Sequence, residues 1–290
     1  MKLVTFEREA GCEELGVLRG ERVLPLRELG FSYRDMNELI ETADRAALAR
    51  MAEAEGEGLP LADLTLLSPI PRPRQDVLCL GLNYSEHARE AVGYSSETFG
   101  REPIPEPIFF SKRVSFSQGS GAPIPAHRDL TEKLDYENEL AVILGRDAKD
   151  VPPEQVEDYI FGYTVLNDVS ARDVQSRHKQ WHFGKSLDGF TPMGPCIVTA
   201  DEIPFPPRLG IRTFLNGEKR QDSNTGLLIH GIPEIVSTLS RGMTLLAGTI
   251  IATGTPKGVL MGMENPRFLQ PGDVVRCEIQ GIGVLENPIR

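Results

Sequence analysis

The chain has 290 residues, of which 40% are hydrophobic and 25% charged, and no apolar run is long enough to cross a bilayer. Its formal net charge of −11 opposes binding to nucleic acid or to a membrane surface, so we expect neither partner, and an anionic substrate would need local positive charge. Met1 leads directly into a strand-like segment without a signal or transit peptide, and we therefore expect a cytoplasmic protein.

Residues 1–66 have the pattern of a small N-terminal α/β domain. Alternating apolar residues predict strands at Lys2–Phe6 and Gly16–Leu26, and a helical stretch follows from Tyr33 to about Glu55. The next segment, Ser68–Arg74, has three prolines in five positions, which removes backbone donors and helical angles. We place the domain boundary here, with a second domain over residues 67–290.

The second domain is predicted to be rich in β-strands, so the fold class is α+β. Asn216-Gly217 follows an apolar run and favours a tight hairpin, because both residues tolerate positive φ. Helices are expected at Ser85 to about Val92, Ser170 to about Lys179, and Ile232 to Arg241. The predicted strands lie in the apolar runs Val77–Leu82, Pro107–Phe116, Leu134–Leu144, Tyr159–Asn167, Ile211–Leu215 and Val274–Ile279.

Two acidic residues interrupt the strand-like run Leu134–Leu144. Alternate residues of a strand share one face about 7 Å apart, so Glu137 and Glu139 point the same way and can converge on one ion. Their repulsion needs compensation, which a hard cation such as magnesium, manganese or calcium provides. The alternative is an ordinary solvated face, the common fate of charged side chains.

Asp168 lies where the apolar run Tyr159–Asn167 ends, and residues at strand ends often form sites. Ser170 and Asp173 have the spacing of a capping box, which predicts a helix that starts there and presents Arg172 and Gln175 on one side. Asp168 is equally compatible with a plain turn residue.

Three further segments carry candidate side chains. Lys185 lies in an aromatic and glycine-containing segment, where it contacts a pocket or is simply solvated. His87 and Glu90 are neighbours on a helix at i, i+3, as in a carboxylate-oriented general base, although an isolated histidine is more often a surface residue. The loop Ala252–Gly258 offers backbone amides and hydroxyls to a carboxylate but lacks the glycine spacing of a P-loop.

The order of these segments resembles the fumarylacetoacetate hydrolase (FAH) family over about residues 67–290, and residues 1–66 resemble the variable N-terminal domain of many bacterial members. Each motif is weak alone, and the five together are specific. They are Gly81-Leu82-Asn83-Tyr84 with His87, Asp135-Tyr136-Glu137-x-Glu139, Asn167-Asp168-x-Ser170-Ala171-Arg172-Asp173-x-Gln175, Gly184-Lys185-Ser186 and Thr253-Gly254-Thr255-Pro256-x-Gly258.

The resemblance implies an FAH-type mixed β-roll catalytic domain, usually in a homodimer, and assigns roles to residues. The implied ligands of Mg²⁺ or Mn²⁺, with Ca²⁺ as a substitute in crystals, are Glu137, Glu139 and Asp168. The implied substrate contacts are Lys185, Arg172 and Gln175 at the substrate or its oxyanion, and Thr253 with Gly254 at its carboxylate. His87 and Glu90 match the dyad that activates water. We expect Gly93–Arg101, a polar stretch with glycine at both ends, to be a mobile lid that carries this dyad over the substrate. No fourth carboxylate ligand is identified upstream.

A metal ion chelated by a small anionic 2-oxo acid stabilises an enolate, which serves several reactions. The leading hypothesis is hydrolysis of a C–C bond in a 2,4-dioxo acid of the acylpyruvate or fumarylpyruvate type. The second is decarboxylation of oxaloacetate or isomerisation of 2-hydroxyhepta-2,4-diene-1,7-dioate at the same site. A third is non-catalytic, with the ion only bracing a scaffold. Sequence does not identify the substrate, because its distal half would contact loops.

Overall fold

A computed structural model of the chain describes residues 1–99 and 105–290. The described strands are β1 (Lys2–Glu7), β2 (Glu13–Arg19), β3 (Arg22–Pro25), β4 (Leu59–Pro60), β5 (Thr65–Leu66), β6 (Val77–Gly81), β7 (Ile108–Lys112), β8 (Leu134–Asp135), β9 (Asn138–Leu144), β10 (Ile160–Asn167), β11 (Ser170–Ala171), β12 (Met193–Thr199), β13 (Gly210–Leu215), β14 (Glu218–Asn224), β15 (Ile250–Ala252), β16 (Val274–Ile279) and β17 (Gly283–Pro288). The α-helices are α1 (Met36–Thr42), α2 (Arg45–Glu53), α3 (Ser85–Tyr94), α4 (Ser96–Phe99), α5 (Arg172–Arg177), α6 (His182–Lys185) and α7 (Ile232–Gly242).

Most strands of this α+β, β-rich fold belong to one mixed sheet. Within the described residues it has 11 strands, in the order β4-β3-β2-β1-β12-β10-β9-β15-β6-β7, with β5 also paired to β1. β1 pairs with β12, so residues 1–66 extend the same sheet as the rest of the chain. The boundary between residues 66 and 67 stays a prediction. A second sheet, β14-β13-β16-β17, and the small pair β11-β8 complete the β-structure.

The central strands are buried on both faces. Every residue of β9 and β10 is buried. Leu140, Val142 and Leu144 pack into one apolar cluster, and the alternate residues Ala141 and Ile143 pack into a second cluster on the other face. This period of two follows from strand geometry and explains why the run reads as continuously apolar.

Strand register brings the segments with candidate site residues to the same end of the central strands. Leu166 of β10 lies opposite Glu139 of β9, so the end of β10 meets the start of β9. Ala252 of β15 pairs with Ala141 of β9 and, in parallel, with Cys79 of β6. The loop after β15 and helix α3 after β6 therefore leave the sheet at the same place.

Several local predictions are confirmed and others are wrong. Asn216 and Gly217, with φ of 52° and 82°, form the predicted hairpin turn between β13 and β14. The run Gly16–Leu26 is not one strand, because a turn at Gly20 (φ 56°) separates β2 from β3. The helical stretch Tyr33–Glu55 is two helices, each with its own aspartate N-cap.

The predicted capping box is also wrong. Ser170 lies in β11, where it pairs with Asp135, and its hydroxyl donates to the carbonyl of Asp168. Helix α5 begins two residues later, at Arg172. Asp173 instead accepts a hydrogen bond of 2.5 Å from the hydroxyl of Thr131. Pairing with a distant strand has overridden the local capping signal.

No helix of the described ranges combines the length and apolar character needed to span a membrane.

Candidate active site

Three buried carboxylates converge at this end of the central strands. One oxygen from each of Glu137, Glu139 and Asp168 lies within 4.8 Å of the others, and the residues are 5%, 1% and 0% exposed. The amide of Asp168 donates to the carbonyl of Glu137, which locks the two segments together. The alternatives of a solvated face and a plain surface turn are therefore wrong for these residues.

Buried cations compensate two of the three acids. Lys185 Nζ donates to Glu137 Oε2 and Asp168 Oδ2, both at 2.7 Å. Arg172 Nη2 lies 2.6 Å from Glu137 Oε1, and Lys112 Nζ lies 2.5 Å from Asp168 Oδ1. Burial favours the neutral form of Glu137, but the attraction of Arg172 and Lys185 outweighs it and holds the pKa well below the ordinary value. Burial also lowers the pKa of Lys112, and Asp168 offsets only part of that effect.

Glu139 is the acid without a cationic partner. Its Oε2 accepts a hydrogen bond of 2.7 Å from the amide of Gly254, and its Oε1 has no partner among the described residues. Burial, reinforced by the negative charges of Asp168 and Glu137, raises the pKa of Glu139 well above its ordinary value. An unsatisfied buried oxygen within an all-oxygen donor set fits a hard divalent cation such as Mg²⁺ or Mn²⁺.

A narrow cavity adjoins the carboxylates. Its polar lining includes five residues singled out in the sequence, and the rest of the wall is largely apolar. The lining residues are Leu80, Gly81, Leu82, His87, Phe99, Phe110, Glu137, Arg172, Gln175, Trp181, Lys185, Thr255 and Met261. Its free volume is about 10 Å³, about the room that one water molecule requires.

The proposed dyad lies on helix α3 above this cavity. His87 is 4% exposed, and its Nδ1 lies 3.5 Å from Glu90 Oε2, beyond a short hydrogen bond. Glu90 is held by the amide of Gly258, at 3.0 and 3.1 Å from its two oxygens, and it packs against Gly262. His87 and Glu90 therefore lie side by side without a hydrogen bond between them, and His87 lines the cavity.

Thr253 and Gly254 are not brought to the cavity lining. The Thr253 hydroxyl donates to the carbonyl of Leu140 at 2.9 Å, and the Gly254 amide donates to Glu139. Both donors predicted to bind a substrate carboxylate are therefore already used within the chain. In this structure the Gly254 amide holds Glu139, one of the three converging carboxylates, and Thr255 is the residue of this loop that lines the cavity.

Two charged residues near the site were missed by the sequence reasoning. Asp135 is fully buried, and its carboxylate accepts from Arg172 Nε at 2.9 Å and from the amides of Leu260 and Met261. The fully buried Lys112 ends β7 beside Asp168. The available signal was a charge inside an otherwise apolar strand-like run, at each of the two positions.

The predicted lid Gly93–Arg101 is described only in part. Residues 93–99 complete α3 and form α4, with Phe99 5% exposed and its ring 5.5 Å from that of Trp181. Residues 100 and 101 lie outside the described ranges. Whether this segment acts as a lid stays a prediction.

Comparisons with known proteins identify a common family. A family model described as fumarylacetoacetate (FAA) hydrolase C-terminal matches residues 76–290. The oxaloacetate tautomerase YisK of Bacillus subtilis (strain 168) is 45% identical over 230 residues, covering 79% of this chain and 74% of that protein. A fumarylacetoacetate hydrolase structure from Exiguobacterium antarcticum is 38% identical, with a TM-score of 0.84, covering 100% and 99% of the two chains. A maleylpyruvate hydrolase of Sphingobium sp. SYK-6, solved with manganese(II) and pyruvate, is 30% identical with a TM-score of 0.75, covering 100% and 98%.

Proposed function

Because the chain belongs to the fumarylacetoacetate hydrolase family, we propose that it is a divalent-metal-dependent enzyme that interconverts the keto and enol forms of a small 2-oxo dicarboxylic acid such as oxaloacetate. One observation carries the proposal. Three buried carboxylates, one with an unsatisfied oxygen, border a cavity lined by His87, Arg172 and Lys185. The narrowness of that cavity and the name of the YisK relative support a short substrate.

The charges of the site suit an anion once a metal is present. The four buried acids, including Asp135, outnumber the three buried cations by one. A divalent ion held by Glu137, Glu139 and Asp168, either Mg²⁺ or Mn²⁺, would reverse the balance to one net positive charge. This local positive charge would attract an anionic substrate even though the chain as a whole has a net charge of −11.

The side chains divide the reaction between binding and proton transfer. When bound, the metal would supply a Lewis acid that polarises the 2-oxo group and acidifies the neighbouring C3–H bond. Arg172 and Gln175 bind a substrate carboxylate, and Lys185 donates to the oxyanion that develops at C2. His87 takes the C3 proton, the C–H electron pair becomes the C2=C3 double bond, and the carbonyl π pair moves onto the C2 oxygen. The protonated His87 then returns the proton to that oxygen, which gives the enol and regenerates the neutral base. Atoms and charge balance, and no co-reactant is needed.

Hydrolysis of a 2,4-dioxo acid, predicted from the sequence, is the second candidate. The observation that favours it is the pairing of His87 with Glu90 at 3.5 Å, since a carboxylate that orients an imidazole also suits activation of water. A maleylpyruvate hydrolase is among the similar structures. The purely structural role for the ion is disfavoured because buried cations already neutralise most of the acidic cluster.

The test is an assay of manganese-loaded protein with the enol form of oxaloacetate, followed by ultraviolet absorbance. We expect His87→Ala to reduce turnover about 10²- to 10⁴-fold, the usual contribution of a general base. The exposed His178→Ala is the matched control and should keep full activity. Full activity after chelation, or near-normal turnover of His87→Ala, would refute the proposal.

Labelled water separates the two candidates. Hydrolysis of an acylpyruvate places one solvent oxygen in the new carboxylate, whereas tautomerisation exchanges only hydrogen at C3. Incorporation of ¹⁸O during rapid acylpyruvate turnover, with no acceleration of oxaloacetate enolisation, would select hydrolysis. The homodimer implied by the family stays a prediction, which light scattering of the purified protein will test.

A further inference from the structure

A tryptophan forms part of the apolar wall of the cavity. Trp181 lines the cavity together with Phe99 and Phe110, whose rings lie 5.5 and 5.4 Å from the indole. The polar groups that would hold a 2-oxo acid, including Lys185, line the same narrow cavity. The aromatic side chains therefore bound the space that is left for the rest of a substrate held by its 2-oxo acid head.

The position of Trp181 is fixed relative to Lys185. Trp181 immediately precedes α6, and its carbonyl accepts the amide of Lys185 at 3.1 Å. The two side chains, four residues apart on one helical turn, therefore face the same side. Lys185 Nζ also lies 5.2 Å from the centre of the Phe110 ring that supports the indole. The distance from the substrate-binding lysine to the wall is thus built into one short element.

The indole is also wedged against the sheet. A Cβ at Gly81 would lie 2.3 Å from Trp181 Cζ3 and 2.7 Å from Cη2, closer than atoms can approach. Only glycine at the end of β6 leaves room for the ring. Since the free volume of the whole cavity is about 10 Å³, the indole leaves no spare space for a longer substrate.

We propose that Trp181 limits the length of the substrate, so that the site favours short 2-oxo dicarboxylic acids and discriminates against each added methylene. This inference rests on the proposed function for the class of substrate. Trp181 acts by excluded volume and takes no part in proton transfer. One extra methylene against a fixed apolar wall costs about 10- to 200-fold in affinity or specificity.

The experiment measures binding to manganese-loaded protein by calorimetry with oxalate, 2-oxoglutarate and 2-oxoadipate. The wild-type protein should bind 2-oxoadipate at least about tenfold more weakly than 2-oxoglutarate. Trp181→Ala should reduce this ratio to about threefold or less, and Trp181→Phe should give an intermediate ratio. Oxalate, which is too short to reach the wall, should bind all variants alike. The matched control is Phe183→Ala, because this neighbouring aromatic residue is 46% exposed.

Two results would overturn the inference. One is an unchanged ratio in Trp181→Ala, or in Trp181→Phe if the alanine variant does not fold, while oxalate binds normally. The other is a wild-type protein that binds the two longer acids equally well. Failure of the proposed function is a separate outcome: the wild-type protein would then not enolise oxaloacetate, while the binding ratios would still report on Trp181. If oxalate itself does not bind, both the proposed function and the role of Trp181 are refuted.

Discussion

Replacement of Asp135 by asparagine tests whether one buried carboxylate supports both Arg172 and the loop behind the dyad. Asp135 Oδ1 accepts the amide of Leu260 at 2.9 Å, and Oδ2 accepts Arg172 Nε at 2.9 Å and the amide of Met261 at 3.1 Å. An amide NH2 in the place of Oδ2 would face two donors and accept neither. Asp135→Asn thus keeps the shape of the side chain and removes its charge and one of its two acceptor oxygens.

The expected loss of stability follows from these contacts. A hydrogen bond to a charged group contributes about 1.5–3 kcal/mol, and an orphaned buried amide costs about 1–3 kcal/mol. Together they amount to about 2.5–6 kcal/mol. This range contains the usual cost of breaking a buried ion pair, about 3–5 kcal/mol, which we take as the expected loss. At about 2.1 cal/mol/K per residue, the unfolding entropy of the 290-residue chain is about 0.6 kcal/mol/K. Asp135→Asn should therefore lower the Tm by about 5–8 °C.

Thermal denaturation and steady-state kinetics measure the effect. The matched control is Asp222→Asn, which removes the charge of an exposed carboxylate paired with Arg212 and Lys219 and should change the Tm far less. We also expect kcat/KM of Asp135→Asn to fall by up to about 100-fold, because Arg172 loses one of its anchors. A Tm within about 2 °C of the wild type, or no larger a change than in Asp222→Asn, would refute the reasoning.

Three further predictions concern the same region. Gly262→Ala places a Cβ 2.7 Å from Glu90 Cδ, so kcat should fall about tenfold or more while the manganese affinity stays unchanged. The control is Gly242→Ala, which has open space around it and should leave kcat unaltered. Equal kinetics of the two variants would contradict the role of Glu90. Because burial raises the pKa of Glu139, metal binding should release a proton and strengthen as pH rises towards that pKa. Calorimetry in two buffers of different ionisation enthalpy will measure the release, and identical apparent enthalpies would contradict it. Lys112→Met should destabilise the metal-free protein by about 3–5 kcal/mol. The loss should be smaller with manganese bound, because the ion replaces the lost positive charge. Equal losses in both states would show that Lys112 does not compensate the negative charge of the three carboxylates.

The three candidate metal ligands could be predicted from sequence because their signals are local. Glu137 and Glu139 are acids two residues apart in a strand-like run, and Asp168 follows directly after another. Strand geometry alone predicted that the first pair shares a face, but it left open whether that face was solvated. The structure decides the question through burial, because the paired strands β9 and β10 bring all three acids inside the protein.

The residues that sequence reasoning missed depend on long-range pairing. Lys112 reaches Asp168 only because β7 pairs with β6, and a charge inside an apolar run does not by itself show which residue it contacts. The capping box at Ser170 failed for the same reason, since its partner in the sheet, Asp135, lies 35 residues earlier. Likewise, no pattern in the sequence shows that the Gly254 amide is used by Glu139 instead of a substrate.

Trp181 is the only tryptophan in the chain. The intrinsic fluorescence excited at the red edge of the absorption band therefore originates at the wall of this cavity. Its emission reports the polarity and quenching next to Lys185, without any attached dye and without averaging over other indoles. Arrival of a paramagnetic ion, a ligand or water at the site becomes an optical signal that stopped-flow measurements can follow in real time.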